Sequence, residues 1–403
     1  MKVSTNIRLS SILGFNGRKG FGQGFGVAVL LILQIVLGAN PAGGEEYSLR
    51  IDAKSAVLVD GLSNQVVFEQ NSQERIGPAS LSKIMTLHLA YDALKKGKVH
   101  LHDEVIVSEK AWSIGGSKMF IEVGKRVKWI DLLKGIVVSS GNDACVALAE
   151  NLAGKEETFV VWMNEKAREL GLKDTHFLSS HGLPAPGQYT TALDMALLAS
   201  YHVETYPELL EIYSLKEFEF AGIKQFNRND LLWRDEDVDG LKTGHTKESG
   251  FHIVATAKKV NQRFIAVVMG AGSEVSREKE TYRLLEYGFR NFSTVTVFEK
   301  GERLKEVRVW KGKVNRLNLM AATPGVVTVP KGKEESVSSS LQIRTKILAP
   351  VQEEEKLGKA IIEGEGKILK EVDLLAEGEV LKAGFLKRIW HSFLLFFVRL
   401  FSW

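Results

Sequence analysis

Residues 77–86 read Gly77-Pro78-Ala79-Ser80-Leu81-Ser82-Lys83-Ile84-Met85-Thr86, and an apolar pattern with helical spacing follows as far as Lys95. Pro78 stands just ahead of that pattern, where a helix start tolerates proline. A helix beginning here carries Ser80 near its first turn and Lys83 one turn later on the same face. A serine hydroxyl is a weak nucleophile. It needs a neighbouring base to take its proton and a positive environment for the oxyanion that follows. Lysine can be that base only when neutral, so its pKa must fall from about 10.4 by about three units, at about 1.36 kcal/mol each, through burial or a nearby cation. By itself Ser-x-x-Lys is a common tetrapeptide that reads equally well as an N-cap serine beside a solvated lysine.

Two further segments bear on that choice. Sixty residues on (80 to 140) lies Val138-Ser139-Ser140-Gly141-Asn142-Asp143-Ala144, which closes one apolar stretch and opens a helix. At 102 residues beyond Ser140 (140 to 242) lies Val238-Asp239-Gly240-Leu241-Lys242-Thr243-Gly244-His245, followed by the strand-like Phe251 to Ala257. Either segment alone is an ordinary turn or cap. Ser-x-x-Lys, Ser-x-Asn and Lys-Thr-Gly together, in this order, are a combination known from penicillin-interacting serine enzymes.

Working outward, residues 47–292 mix long helical patterns (Leu81 to Lys95, Ile130 to Leu152, Glu156 to Leu170, Thr191 to His202) with strand-like runs at Ser55 to Asp60 and Arg263 to Met269, which predicts an α/β or α+β domain. After Phe292 short β-rich segments take over, at Thr294 to Phe298, Glu306 to Val309, Gly325 to Val329 and Leu341 to Leu348. Separated by Gly, Pro and charged turns, they predict a small all-β domain. The stretch Ala349 to Glu379 carries charged turns and one alternating run.

Both ends of the chain address a membrane. Lys2, Arg8, Arg18 and Lys19 precede an apolar run from Gly26 to Ala39 that ends in small residues, the pattern of a secretory signal cleaved between Gly38 and Gly44. The run is shorter than the roughly 20 apolar residues of a membrane span. From Phe385 the sequence FLKRIWHSFLLFFVRLFSW puts most of its aromatic and aliphatic residues on one half of a helical wheel, with Lys387, Arg388, His391, Ser392 and Arg399 on the other. Such a helix suits the plane of a membrane interface better than a span, because its cations would otherwise meet hydrocarbon. The expected layout is a signal peptide at 1–42, a catalytic domain at 46–292, an all-β domain at 293–375 and an amphipathic anchor at 379–403.

Composition narrows the function. The 403 residues are 44% hydrophobic and 25% charged, ordinary for a folded chain of two or three domains. The 53 Lys+Arg against 49 Asp+Glu leave a net charge of +4, too weak a field for a nucleic-acid binder. Cys145 is the single cysteine, which excludes an intramolecular disulfide and a thiolate metal cage. It reads as a buried small hydrophobe near the site. The nine histidines form no His-Glu-x-x-His pair, so a zinc peptidase is not expected, nor any other metal or cofactor.

On these motifs, and on the flanks GPASLSKIMT, SSGNDACVALAE, THFLSSHGLPAPGQYTTALDMA and VDGLKTGHT, the chain resembles the D-alanyl-D-alanine carboxypeptidases, low-molecular-weight penicillin-binding proteins of serine peptidase family S11. The resemblance runs from about Tyr47 to the C terminus and includes the β domain and the terminal helix. It implies a helix-flanked antiparallel sheet of five strands, with the active site between the sheet and an all-helical subdomain. It further implies a periplasmic enzyme on the outer face of the cytoplasmic membrane that removes the terminal D-alanine of peptidoglycan pentapeptide and is trapped by β-lactams. Ser80 would be acylated, Lys83 would be its base, and Ser140 would relay protons to the leaving group. Asn142 would bind the substrate amide; Lys242, Thr243 and Gly244 would line the carboxylate wall and oxyanion hole. His245 would line the cleft, although a packing histidine is as natural a reading. Arg277 would help hold the carboxylate, against the alternative of a solvated surface charge.

The middle motif is Ser140-Gly141-Asn142, not Ser-Asp-Asn, and no Glu-x-x-Leu-Asn segment lies between Ser140 and Lys242. Class A β-lactamases use that glutamate to release the acyl group, so rapid penicillin hydrolysis is not expected. A β-lactamase and a non-catalytic membrane-tethered scaffold are the competing functions; the intact motifs argue against the second.

Overall fold

The computed structural model describes residues 49–401, with side chains as far as Phe397. The expected signal segment lies outside the described residues. Five antiparallel strands form the main sheet: β1 (Ser55–Asp60), β2 (Val66–Gln70), β3 (Val238–Thr246), β4 (Gly250–Lys259) and β5 (Gln262–Ala271), in the spatial order β2-β1-β5-β4-β3. Every residue of β1 is buried because both faces of the sheet are covered, and its sequence, SAVLVD, is accordingly apolar throughout its interior. Val57 and Val59 face the helical core together with Ile265 and Val267. Leu58 and Phe264 face the opposite way, under Gly288 of a long helix, where a β-carbon would stand 2.8 Å from Leu58 and 3.0 Å from Phe264. The resemblance called for a helix-flanked antiparallel sheet of five strands, and this is the one found.

The helices of ten residues or more are α1 (Lys83–Lys95), α2 (Trp129–Val138), α3 (Asn142–Ala153), α4 (Glu156–Glu169), α5 (Ala192–Thr205), the long α6 (Glu274–Asn291) and the terminal α7 (Phe385–Phe401). The helical pattern read over Ile130 to Leu152 is two helices. Ser140, at φ +57°, breaks it in a left-handed conformation unusual for a residue with a side chain, and the chain restarts at Asn142.

Between α6 and α7 the chain is built of strands: β6 (Phe292–Phe298), β7 (Arg303–Trp310), β8 (Arg316–Ala321), β9 (Gly325–Pro330), β10 (Ser338–Ile343), β11 (Ile347–Leu348), β12 (Lys356–Gly364) and β13 (Lys367–Ala376). Six strands form one sheet in the order β10-β12-β13-β8-β7-β11, and β6 pairs with β9. The single alternating run read over residues 349–379 is in fact the β12–β13 hairpin, which lies inside that sheet. The two regions are stitched at Asp60, the last residue of β1. Its Oδ2 accepts hydrogen bonds from Thr294 and Thr328, and its Oδ1 accepts the backbone N–H groups of Leu62 and Ser63.

The terminal helix inverts the usual arrangement. Its polar side meets the protein: His391 Nδ1 accepts the Lys311 N–H at 2.7 Å, the imidazole stands edge-on to Trp310, and Lys387 Nζ donates to the Lys313 carbonyl. His391 is thus buried, not solvated as its place on the wheel suggested, because a backbone N–H at the end of β7 needs an acceptor there. Phe385, Leu386, Ile389, Trp390, Phe393 and Phe396 are left exposed. Among the described residues no helix is long and apolar enough to cross a membrane.

Candidate active site

A tight turn, Ala79–Ser82, delivers Ser80 to the start of α1. Ala79 is held at φ +48°, and the loop that follows α4 interlocks with it: at Gly182 (φ +84°) a β-carbon would lie 1.8 Å from the Ala79 carbonyl oxygen, so only glycine fits. Lys83 is wholly buried, and its Nζ has three neighbours: Ser80 Oγ at 2.9 Å, Asn142 Oδ1 at 2.8 Å and the His181 carbonyl at 2.6 Å. Asn142 Oδ1 and the carbonyl can only accept, whereas the serine hydroxyl can also donate. An amine that has lost its proton keeps two N–H bonds for the acceptors and turns its lone pair to Ser80 Oγ–H. Burial pushes the Lys83 pKa down to about 8, helped by the charge of Arg228. The neighbouring Cys145 thiol is itself pushed up to about 12 by burial, so it stays uncharged and offers no counter-ion.

Opposite stand Ser140, whose buried Oγ has no hydrogen-bond partner, and Asn142, whose Nδ2 donates to the Gly115 carbonyl. Asp143 then gathers the loop over this wall: its carboxylate accepts the N–H groups of Met119, Phe120 and Ile121. The third wall is β3, an edge strand whose outer side faces the Ser80 turn. Gly244 lies close enough that a β-carbon there would be 3.2 Å from Ser80 N. Lys242 and Thr243 are buried on this strand, and the Lys242 pKa is driven far below its ordinary range by burial and then by Lys83 and Arg228. His245 is exposed and stacks on Phe251 with ring centroids 4.0 Å apart.

Of the nine residues singled out from the sequence, Ser80, Asn142 and His245 line one cleft of about 370 Å³, together with Ser117, His181 and Leu183; Lys83 is bonded to Ser80 and Asn142, and Gly244 packs against Ser80. Arg277 stands apart. It is 2% exposed, not solvated, and its guanidinium donates to Glu278 at 2.7 Å and to the Arg228 carbonyl at 3.2 Å, while its buried Nε–H has no partner. Its charge still disfavours a cation at Lys242. Sequence reading missed Arg228 and Asp143, the first because nothing near it forms a pattern, the second because its N–H partners lie 22 to 24 residues earlier in a featureless loop. Among the described residues no three His, Cys, Asp or Glu side chains are placed to share a metal.

Residues 42–273 match the family profile described as D-alanyl-D-alanine carboxypeptidase, and residues 292–382 match that of the penicillin-binding protein 5 C-terminal domain. The chain is 40% identical to the D-alanyl-D-alanine carboxypeptidase DacA of Haemophilus influenzae over 359 residues, 88% of this chain and 91% of that protein. It is also 40% identical to DacC of Escherichia coli over 362 residues, 88% and 90% of the two chains. Among solved structures, penicillin-binding protein 5 from Haemophilus influenzae superposes with a TM-score of 0.78 at 39% identity, covering 83% of this chain and 99% of that one. Penicillin-binding protein D2 of Listeria monocytogenes in its ampicillin-bound form superposes with a TM-score of 0.55 at 31% identity, over 60% and 99% of the chains.

Proposed function

From the premise that the chain belongs to the D-alanyl-D-alanine carboxypeptidase family of S11 peptidases, we propose that it removes the terminal D-alanine of peptidoglycan pentapeptide through an ester on Ser80, with neutral Lys83 as the base. The observation that carries this reading is the set of partners around Lys83 Nζ, two obligate acceptors and one hydroxyl, in a pocket that disfavours its charge. Ser80 Oγ attacks the carbonyl of the penultimate residue and its proton passes to Lys83. The oxyanion is held by the Ser80 and His245 N–H groups, and as the amide bond breaks the proton travels by way of Ser140, whose hydroxyl has no other engagement, to the departing D-alanine amine. Asn142 anchors the substrate amide. Water then releases the shortened peptide.

The substrate's terminal carboxylate lies against Lys242 and Thr243. Lys83 disfavours a charge on Lys242. A bound carboxylate draws the proton to Lys242, and that charge in turn keeps Lys83 neutral, so the group that marks a correct substrate also arms the base. Amidating the terminal D-alanine should therefore lower kcat/KM by roughly tenfold to several thousandfold, the loss of one or two charge-assisted bonds. Thr243→Val should reproduce part of that loss on the free acid and much less on the amide. Equal rates on acid and amide, read by D-alanine release, would contradict the exopeptidase reading, as would a cut inside the peptide.

Penicillin should acylate the same serine and persist. Glu156, the carboxylate nearest His181, accepts both the N–H and the hydroxyl of Ser180 and pairs with Lys110, so it is committed to holding the loop. This favours a carboxypeptidase over a fast β-lactamase.

The exposed aromatic face of α7 supports attachment to the outer face of the cytoplasmic membrane. A protein ending at Gly378 should move from the membrane fraction to the soluble one with its peptide cleavage rate within about twofold, since His391 and Lys387 of α7 are bonded to the β domain. Retention in the membrane fraction after signal cleavage would show that the anchor lies elsewhere.

A further inference from the structure

One buried histidine is used by none of these steps. His252 lies on β4 directly across from Gly244 of β3 and is 0% exposed. The β4–β5 ladder slips between Phe251 and Ile253, and the displaced Gly270, at φ +76°, points its N–H out of the ladder. His252 Nδ1 accepts that N–H at 2.9 Å. The tautomer is thereby fixed, because the ring's one proton sits on Nε2. Nε2–H faces two acceptors, the Gly77 carbonyl at 3.1 Å and Ser249 Oγ at 3.0 Å. Gly77 leads into the turn that carries Ser80, three residues on. Ser249 closes the β3–β4 turn and is bound to Thr246 at 2.6 Å. Gly77 and Ser249 also lie close together: a β-carbon on Gly77 would be 3.8 Å from Ser249 Cβ.

We infer that His252 is a positioning residue for the oxyanion hole, whose imidazole registers the Gly77–Ser80 lead-in against β3 so that the N–H groups of Ser80 and His245 converge on one point. The inference rests on the oxyanion hole proposed above. The two donors belong to different segments, one on the turn before α1 and one on an edge strand. A hole made this way is only as accurate as the tie between its segments, and displacement by about 1 Å costs on the order of 10²-fold in rate. The imidazole, held neutral with a pKa pushed down to about 4 chiefly by burial, keeps this tautomer throughout the neutral range.

The test compares wild type with His252→Leu, His252→Gln and His252→Asn, using peptide kinetics, melting temperature and the infrared carbonyl band of the penicillin acyl-enzyme. Glutamine reaches Gly77 as Nε2 does, whereas asparagine reaches only Gly270, as Nδ1 does. Wild type should have an ester band well below that of a free ester in water, the mark of two donors on the oxygen. His252→Leu should lower kcat by roughly 10- to 100-fold with KM within about threefold, and move the band up. His252→Gln should restore both, and His252→Asn should not. Unchanged kcat and band in His252→Leu would overturn the inference. So would a glutamine variant no better than the asparagine one, a comparison that still decides if His252→Leu does not fold. A wild-type band at the free-ester position would instead sink the oxyanion-hole reading, and this inference with it.

Discussion

Ser80→Ala should take up no labelled penicillin and release D-alanine at least about 10⁴-fold more slowly than wild type, while melting within a few degrees of it. The fold should survive because the Ser80 hydroxyl makes one hydrogen bond, to Lys83, and that amine retains Asn142 and the His181 carbonyl. The reaction should not, because Ser80 is the cleft hydroxyl bonded to the buried Lys83 amine. Ser82, two residues on, is the built-in control: its buried Oγ has no partner, so Ser82→Ala should leave the adduct in place. Mass spectrometry of the labelled protein locates the adduct. An adduct that survives Ser80→Ala would remove the nucleophile from this account.

Lys83→Met should cost about 10²- to 10⁴-fold in acylation, the range for loss of a positioned base, and should change the shape of the pH profile. Lys83 is active when unprotonated, and burial sets its pKa at about 8. In wild type the rate of penicillin acylation should rise with pH through about 8 and level off above, since each step down in pH converts base into spectator cation. In Lys83→Met the residual rate should lack that limb. A wild-type rate that falls as pH rises through 8, or a limb that persists in the variant, would give the proton to another group.

Much of this was legible in the chain, for reasons that differ from residue to residue. Strand β1 was read to its last residue because burial on both faces leaves a run with no polar interruption until Asp60. The three motifs could be read because each is local, set on a single turn or strand end. The break at Ser140 was half legible: residues 138–144 read as the close of one apolar stretch and the opening of a helix, yet the helical period over Ile130 to Leu152 runs on through it, because α2 and α3 bury their faces in the same core and the backbone angle at one residue separates them. Asp143 and His252 do their work on N–H groups of segments remote in sequence, and no spacing rule records such a partnership. His391 was misread because a helical wheel describes the helix without the strand it leans on.

The free edge of β3 has a consequence for handedness. A row of N–H and C=O groups can hold a short extended peptide through its main chain alone, and those bonds run in the plane of the sheet, while side chains stand nearly perpendicular to it. Such an edge has little means of telling a D-residue from an L-residue, because inversion at an α-carbon moves the methyl group and leaves the paired amides where they were. Chirality must therefore be judged by the walls beside the strand. Asn142 stands there with Gly116, where even a single added carbon would sit 2.6 Å from the asparagine amide and 3.3 Å from Leu183, and the Gly182–Leu183 loop that meets them is pressed onto the carbonyl of Ala79. The strand reads that a peptide is there, and the walls read which mirror image it is.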